Sequence, residues 1–448
     1  MSVFDYAARW NIDPETSQEQ YDQTSPHKVS VDRPPLVFGR VCRNWREISL
    51  NCPEIWTRLC YCIRNTSLHR GALEGVEQWL VLSAGKPLSL VIFAQHDITP
   101  QILQPFIELY YQVLPRVETL RIWVSDNSFC GLPPAPKQAM PFCRMVETTF
   151  KNTAGIRWIA QLLDQSPPLH SLIMREFSVQ ADRTGLHLEP FLPCLSFLDV
   201  TINNFCIRHV DILRSCSALV DARLNFVMAG NETARDLNTS TQSFTLSQLR
   251  VLSIRVKQPG EWRDIFAHAN LPALEELTIS GCIWPLPTLV ECLQRSENPL
   301  RKLDLRDTNV TSGQLLEILP LGRFSLEILN VAHGSSRPWS NRASQVECAV
   351  NDAVLNLLDP RVSGEAAMPF FHSLRIECWD LANTLGKLTE VVRARMESEL
   401  TVNMRSLDIN CPVVKTGERN PQQMEFVGLL GVQKKFSELL ITVHPPPL

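Results

Sequence analysis

Leu249-Arg250-Val251-Leu252-Ser253-Ile254, Leu274-Glu275-Glu276-Leu277-Thr278-Ile279, Leu300-Arg301-Lys302-Leu303-Asp304-Leu305 and Leu326-Glu327-Ile328-Leu329-Asn330-Val331 repeat one pattern. An apolar residue is followed after two positions by Leu, then by one polar or variable position, then by a second apolar residue. Successive copies start 25, 26 and 26 residues apart. The last two apolar residues of each copy stand at i and i+2, so they share one side of an extended strand. Between copies there is room for one helix with its own apolar stripe, such as Leu289, Val290 and Leu293. One strand and one helix cannot bury their apolar faces alone. A fixed period of this size therefore predicts units stacked side by side around a shared core.

Working outward from this block, the same spacing recurs upstream at Val117–Leu120–Ile122, Leu169–Leu172–Met174 and Leu195–Leu198–Val200. Leu219–Ala222–Leu224 is a weaker copy. Downstream it recurs at Phe371–Leu374–Ile376, Met404–Leu407–Ile409 and Phe436–Leu439–Ile441. The predicted fold class is α/β: a curved parallel sheet with helices outside it, because strands are narrower than helices. Residues between the apolar positions then project from the inner face of the sheet. They include Arg121, Trp123, Arg175, Asp199, Asn225, Ser253, Arg255, Glu276, Thr278, Lys302, Asp304, Arg306, Asn330, Arg375 and Glu377. Stacked arrays of this kind present extended binding faces. Interface anchors are enriched in Trp, Tyr and Arg. Trp123, Arg175, Asp199, Asn225, Arg255, Lys302, Asp304 and Arg306 are accordingly the candidate contacts for a partner protein.

Local signals place the helix ends. Thr288 with Glu291 and Thr311 with Gln314 have capping-box spacing. Thr99 followed by Pro100 marks a helix start, and Gly85 suits a helix C-terminal cap. Stretches 126–141, 228–245 and 333–345 are polar or proline-rich and are expected to be loops or insertions.

Composition narrows the function. The chain has 448 residues and a net charge of −4 from 43 basic and 47 acidic side chains. That balance argues against nucleic-acid capture, which calls for a basic domain. The 14 cysteines contain no C-x-x-C pair. With no charged start and apolar run at the N-terminus, they predict a reduced protein of the cytoplasm or nucleus. No stretch approaches the ~18 apolar residues of a membrane span. No two of the ten histidines lie within five residues of each other, so helical metal-ligand spacing is absent. Cys60 and Cys62 share a strand face without further ligands in sequence. There is no G-x-G-x-x-G, P-loop or G-x-S-x-G. No catalytic, cofactor or metal residues are assigned. Arg250, Arg255, Lys257 and Arg263 form a basic cluster that reads as solvated surface.

Ahead of the repeats, Val37, Val41, Trp45 and Ile48 are spaced by 4, 4 and 3 residues, which predicts one helical stripe ending before Pro53. A second short helix carries Ile55 and Trp56. A strand over 59–63, a helix over 71–83 and a strand over 87–92 follow.

The run Val41-Cys42-Arg43-Asn44-Trp45-Arg46-Glu47-Ile48, continued by Pro53-Glu54-Ile55-Trp56, resembles the second half of an F-box. The repeats resemble leucine-rich repeats, and Trp79-Leu80 with Pro87-Leu88-Ser89-Leu90 resembles the link between the two in fungal F-box-like proteins. The resemblance implies a partial F-box-like module at 34–63 after a flexible lead-in at 1–33. A linker helix and first strand at 64–93 would lead to a leucine-rich-repeat-like solenoid at 94–448. It implies a non-catalytic substrate receptor of an SCF-type ubiquitin ligase. Val37, Val41, Cys42, Trp45, Ile48, Pro53 and Trp56 would meet a Skp-type adaptor and, through it, the cullin core. The repeats would hold the target. The Leu-Pro-x-Glu-Ile-Leu helix of that family has no counterpart before Pro34, where residues 1–33 offer only Phe4, Tyr6 and Trp10. A second reading is therefore a repeat scaffold with no ligase link, whose tryptophans form a helical cap on the array. A third places an enzyme in the three insertions, since long loops on a rigid frame carry function.

Overall fold

The paired apolar residues of the repeat lie opposite one another on parallel strands. The computed structural model describes residues 36–63, 70–94, 98–124, 140–149, 153–163, 169–177, 191–202, 209–226, 242–256, 262–281, 286–296, 300–308, 310–322, 325–332, 349–363, 368–377, 384–398, 401, 404–410, 429 and 432–444. The expected lead-in at 1–33, most of the loops at 126–141 and 228–245, all of 333–345, and Lys257 lie outside the described residues. The chain divides into two units, one ending at Cys206 and the other beginning at Ile207.

The first unit opens with two short helices, α1 (Phe38–Val41) and α2 (Arg43–Leu50), and a 3-10 turn at Pro53–Trp56. It continues with β1 (Arg58–Ile63), α3 (Arg70–Leu82), β2 (Leu88–Ala94), α4 (Pro100–Val113), β3 (Val117–Trp123), β4 (Met145–Thr148), α5 (Thr153–Leu163), β5 (Ser171–Phe177) and β6 (Phe197–Ile202). These six strands run parallel and are ordered as in the sequence. Their register stacks two rows of side chains. Leu59, Leu90, Leu120, Val146, Leu172 and Leu198 form one, and Tyr61, Ile92, Ile122, Thr148, Met174 and Val200 the other. Every member is buried. Each large apolar side chain so buried is worth about 1.5–3 kcal/mol.

Strand β4 has no counterpart in the sequence reading. Its inward positions are Val146 and Thr148, and the polar second member breaks the apolar pattern.

The second unit comprises α6 (His209–Ser215), β7 (Asp221–Phe226), β8 (Phe244–Thr245), β9 (Val251–Val256), α7 (Trp262–His268), β10 (Ala269–Asn270), β11 (Glu276–Ser280) and α8 (Leu286–Ser296). It continues with β12 (Lys302–Arg306), α9 (Ser312–Ile318), β13 (Ile328–Ala332), α10 (Asp352–Leu358), α11 (Pro360–Ser363), β14 (Ser373–Glu377), α12 (Leu385–Glu397), β15 (Ser406–Asn410) and β16 (Leu440–His444). Strands β7, β9, β11, β12, β13, β14, β15 and β16 lie side by side in that order, all parallel. Phe244 and Thr245, read from sequence as the end of a polar insertion, form β8 and pair with β10 in a separate two-stranded sheet.

The four quoted repeats are in register throughout: Leu252, Leu277, Leu303 and Leu329 form one row, and Ile254, Ile279, Leu305 and Val331 the next. The last repeat is offset by two from its expected alignment. Ile441 rather than Leu439 faces Leu407, and Val443 faces Ile409. A shift of two leaves a side chain on the same strand face, so alternation alone does not reveal it. Leu439 is buried just ahead of the strand.

Helix ends follow the capping rules in part. Thr311 Oγ1 accepts from the Gln314 backbone N–H at 3.3 Å, and Gln314 Oε1 accepts from the Thr311 N–H at 2.9 Å. This is the expected capping box. Thr288 instead lies inside α8, which begins at Leu286. Thr99 holds the cap position of α4 without a side-chain capping bond.

Arg395 on α12 is fully buried. It donates to the carbonyls of Leu358, Met368 and Phe371 at 3.0, 2.9 and 2.8 Å, and its guanidinium lies 5.3 Å from the centre of the Phe371 ring. Burial pulls its pKa down to about 10, which leaves it charged at neutral pH. Among the described residues no helix is long and apolar enough to cross a membrane.

Candidate protein-binding surfaces

The stripe Val37–Val41–Trp45–Ile48 predicts one helix with one apolar face. The chain instead breaks between α1 and α2 at Cys42, which is extended at φ −161° and ψ 175°. The four residues therefore separate. Val37 and Trp45 are half-buried, whereas Val41 and Ile48 are 59 % and 48 % exposed. Cys42 and Leu50 are exposed as well, and Pro53 is half-buried. Arg46 Nε donates to the Gly39 carbonyl at 2.9 Å and ties the two helices together across the break.

The core of this module is Phe38, Ile55 and Trp56, packed against Leu36, Trp45, Cys52, Trp79 and Leu82. A buried indole N–H needs an acceptor. Trp56 Nε1 donates to the Ser49 carbonyl and Trp79 Nε1 to the Trp56 carbonyl, each at 2.7 Å. The Trp56 and Trp79 rings meet edge to face at 4.9 Å, and Phe38 and Trp45 at 5.6 Å. Trp56, a candidate adaptor contact, is thus a buried core residue. Phe38 was missed in the sequence, although it stands two helical turns before Trp45. At the rim, Lys86 and Glu54 pair at 2.8 Å. The hydrogen bond from Lys86 holds the Glu54 carboxyl below the usual glutamate range.

The second candidate surface is the sheet face opposite the buried rows. In the first unit, Arg121, Glu147, Ile173 and Asp199 form one row across β3 to β6. Arg121 lies 3.3 Å from the buried Glu147. Trp123 meets Phe93 edge to face at 6.1 Å. Trp123 and Asp199 point to this face but lie three strands apart. Arg175 is in β5, and its side chain lies outside the described residues.

In the second unit the structure brings the candidates together. Asn225, Arg255, Ser280 and Arg306 form one row across β7, β9, β11 and β12. Lys302 Nζ reaches Glu276 on the neighbouring strand at 3.0 Å. Arg306 grips Asp304 with two bonds of 2.9 and 2.7 Å, and that hydrogen bonding raises the Arg306 pKa. Asp304 is therefore covered rather than offered to a partner. Arg223 repeats the arrangement on Asp221 at 3.4 and 3.2 Å, and Arg375 lies 3.5 Å from Asp408 on the neighbouring strand. Alternation already makes Asp304 and Arg306, and Asp221 and Arg223, neighbours on one face; the cross-strand partners Glu276 and Asp408 escaped the sequence reading because alternation does not name the adjoining strand.

The face offers charge pairs, hydrogen-bond donors and a few aromatics. Among the described residues, no group of three His, Cys, Asp or Glu could hold a metal ion. A small cleft lined by Leu293, Leu303, Ile318 and Leu326 is apolar and belongs to the core. Compared with known proteins, the chain matches no family model and no curated protein.

Proposed function

We propose that this chain is a non-catalytic adaptor, an F-box-like protein with a leucine-rich-repeat-like solenoid. In this reading a target protein binds the polar face of the repeated strands. The N-terminal helices engage a Skp-type adaptor and, through it, the cullin core of an SCF-type ubiquitin ligase in the cytoplasm or nucleus. The observation that carries the reading is a juxtaposition. A tryptophan-centred helical module with exposed Val41 and Ile48 stands directly before parallel strands whose outer face mixes polar and aromatic side chains such as Arg121, Phe93 and Trp123. Exposed apolar side chains on a small helical module are the chemistry of a docking surface.

The full chain is to be co-expressed with a Skp-type adaptor and passed over a sizing column. Co-elution is expected, and Val41→Glu with Ile48→Glu should abolish it while helicity is retained, because neither side chain supports the core. If the folded wild-type chain elutes alone, the second reading stands: a repeat scaffold without a ligase link. That reading is supported by the bonds from Trp56 and Trp79, which spend both indole N–H groups inside the module and tie its 3-10 turn to α3.

A further inference from the structure

The charge pairs on the polar face of the second unit are layered. Arg306 is 58 % exposed above Asp304 at 1 %, Arg223 54 % above Asp221 at 22 %, and Arg375 46 % above Asp408 at 28 %. In each the carboxylate is less exposed than the guanidinium beside it. Lys302 and Glu276 are the level exception. All these residues alternate with the buried rows and so share one sheet face. Arg255, in the same row as Arg306, is exposed and makes no ion pair among the described residues. Arg306 spends Nε and one terminal nitrogen on Asp304, while its Nη1 makes no hydrogen bond among the described residues.

We infer that this face binds an extended acidic segment of a partner protein, its Asp and Glu carboxylates received by Arg255, Arg306 and Arg375. The inference rests on the reading of the strand face as the target-binding surface and specifies the target's chemistry. A guanidinium carries five N–H donors in a planar fork, so one carboxylate beside it leaves donors for a second. From β9 to β14 the arginines span four strand spacings, roughly 19 Å, which an extended peptide covers in about six residues. The shape thus suits a segment rather than a single small acid. A nucleic acid fits less well. Its binding draws on net positive charge, and Asp304, Asp408 and Glu276 on the same face cancel much of the distant field. Short directional bonds survive that cancellation.

The test uses the full chain and a fluorescein-labelled synthetic peptide of alternating Glu and Ser, with the matching Gln peptide as control. Anisotropy should show the Glu peptide binding at least about tenfold more tightly than the Gln peptide. Arg255→Glu alters an exposed, unpaired side chain and should weaken the Glu peptide about tenfold with thermal unfolding unchanged. Three outcomes overturn the inference: no binding of the Glu peptide, equal affinity for both peptides, or an unaffected Arg255→Glu variant. A single-stranded oligodeoxynucleotide of equal charge binding as tightly as the Glu peptide also overturns it. Adaptor capture is read on the same sample. Capture retained without peptide binding overturns this inference alone, and the converse overturns the ligase reading alone.

Discussion

Arg395 shows how much one side chain can organise. Its fork joins the end of α10, at Leu358, to the turn before β14, at Met368 and Phe371. Replacing it with Met keeps much of the volume but takes a donor from three carbonyls, of which that of Met368 keeps the Phe371 N–H. Each such loss costs about 1–3 kcal/mol. Arg395→Met should therefore lower stability by about 3–5 kcal/mol in urea unfolding. Arg395→Lys should lose at least ~1 kcal/mol, because a point donor cannot replace the fork. A wild-type unfolding midpoint in both variants would refute the role. Helical spacing places Arg395 on the stripe of Leu385, Leu388, Val391 and Val392 and the exposed Arg393 off it. The spacing does not name the three carbonyls that the guanidinium binds, which follow from the packing of α10 against α12. The same limit applies to Asp304. Its place on the polar face was legible from alternation, but its burial beneath Arg306 was not.

At the scale of elements, the legible parts are those in which two or more rules agree. Strands β9, β11, β12 and β13 combine apolar i, i+2 pairs with a fixed period, and all four fall where the pattern places them. Strand β4 lacks the second apolar member, and the break at Cys42 leaves no mark in the helical spacing. Glycine supplies a test of element geometry. Gly281 ends β11 at φ +124°, and an added Cβ would lie 1.5 Å from the Val256 carbonyl oxygen. Gly281→Ala should cost at least ~2 kcal/mol, since both the backbone angle and the approach to β9 exclude a side chain. Gly75 lies within α3 with nothing within 4 Å of its Cβ position. Gly75→Ala should add about 0.5–1 kcal/mol through helix propensity. Chemical denaturation of the two variants should move the midpoint in opposite directions, and parallel shifts would contradict both geometries.

For the whole molecule, the strand order within each unit is the sequence order, so each rung leans mainly on the rungs beside it. Stability in such arrays is close to a sum of local and nearest-neighbour contributions. Leu329→Ala removes a fully buried side chain from β13 and should cost about 2–5 kcal/mol. Hydrogen exchange should then quicken first in β12, β13 and β14, with β7 and β9 affected least. Uniform loss of protection across the second unit would show that it melts as one block. The neighbour order was legible from periodicity, because each copy must pack on the next. The chain length between copies is less constrained. From Leu300 to Leu326 the step is 26 residues, and from Leu326 to Phe371 it is 45, yet β13 and β14 remain adjacent and in register. Lengthening a connection costs little, about 0.6 kcal/mol per doubling. The ladder therefore tolerates long inserts at its joints, and evolution can rewrite those connections while the strand face stays as it was.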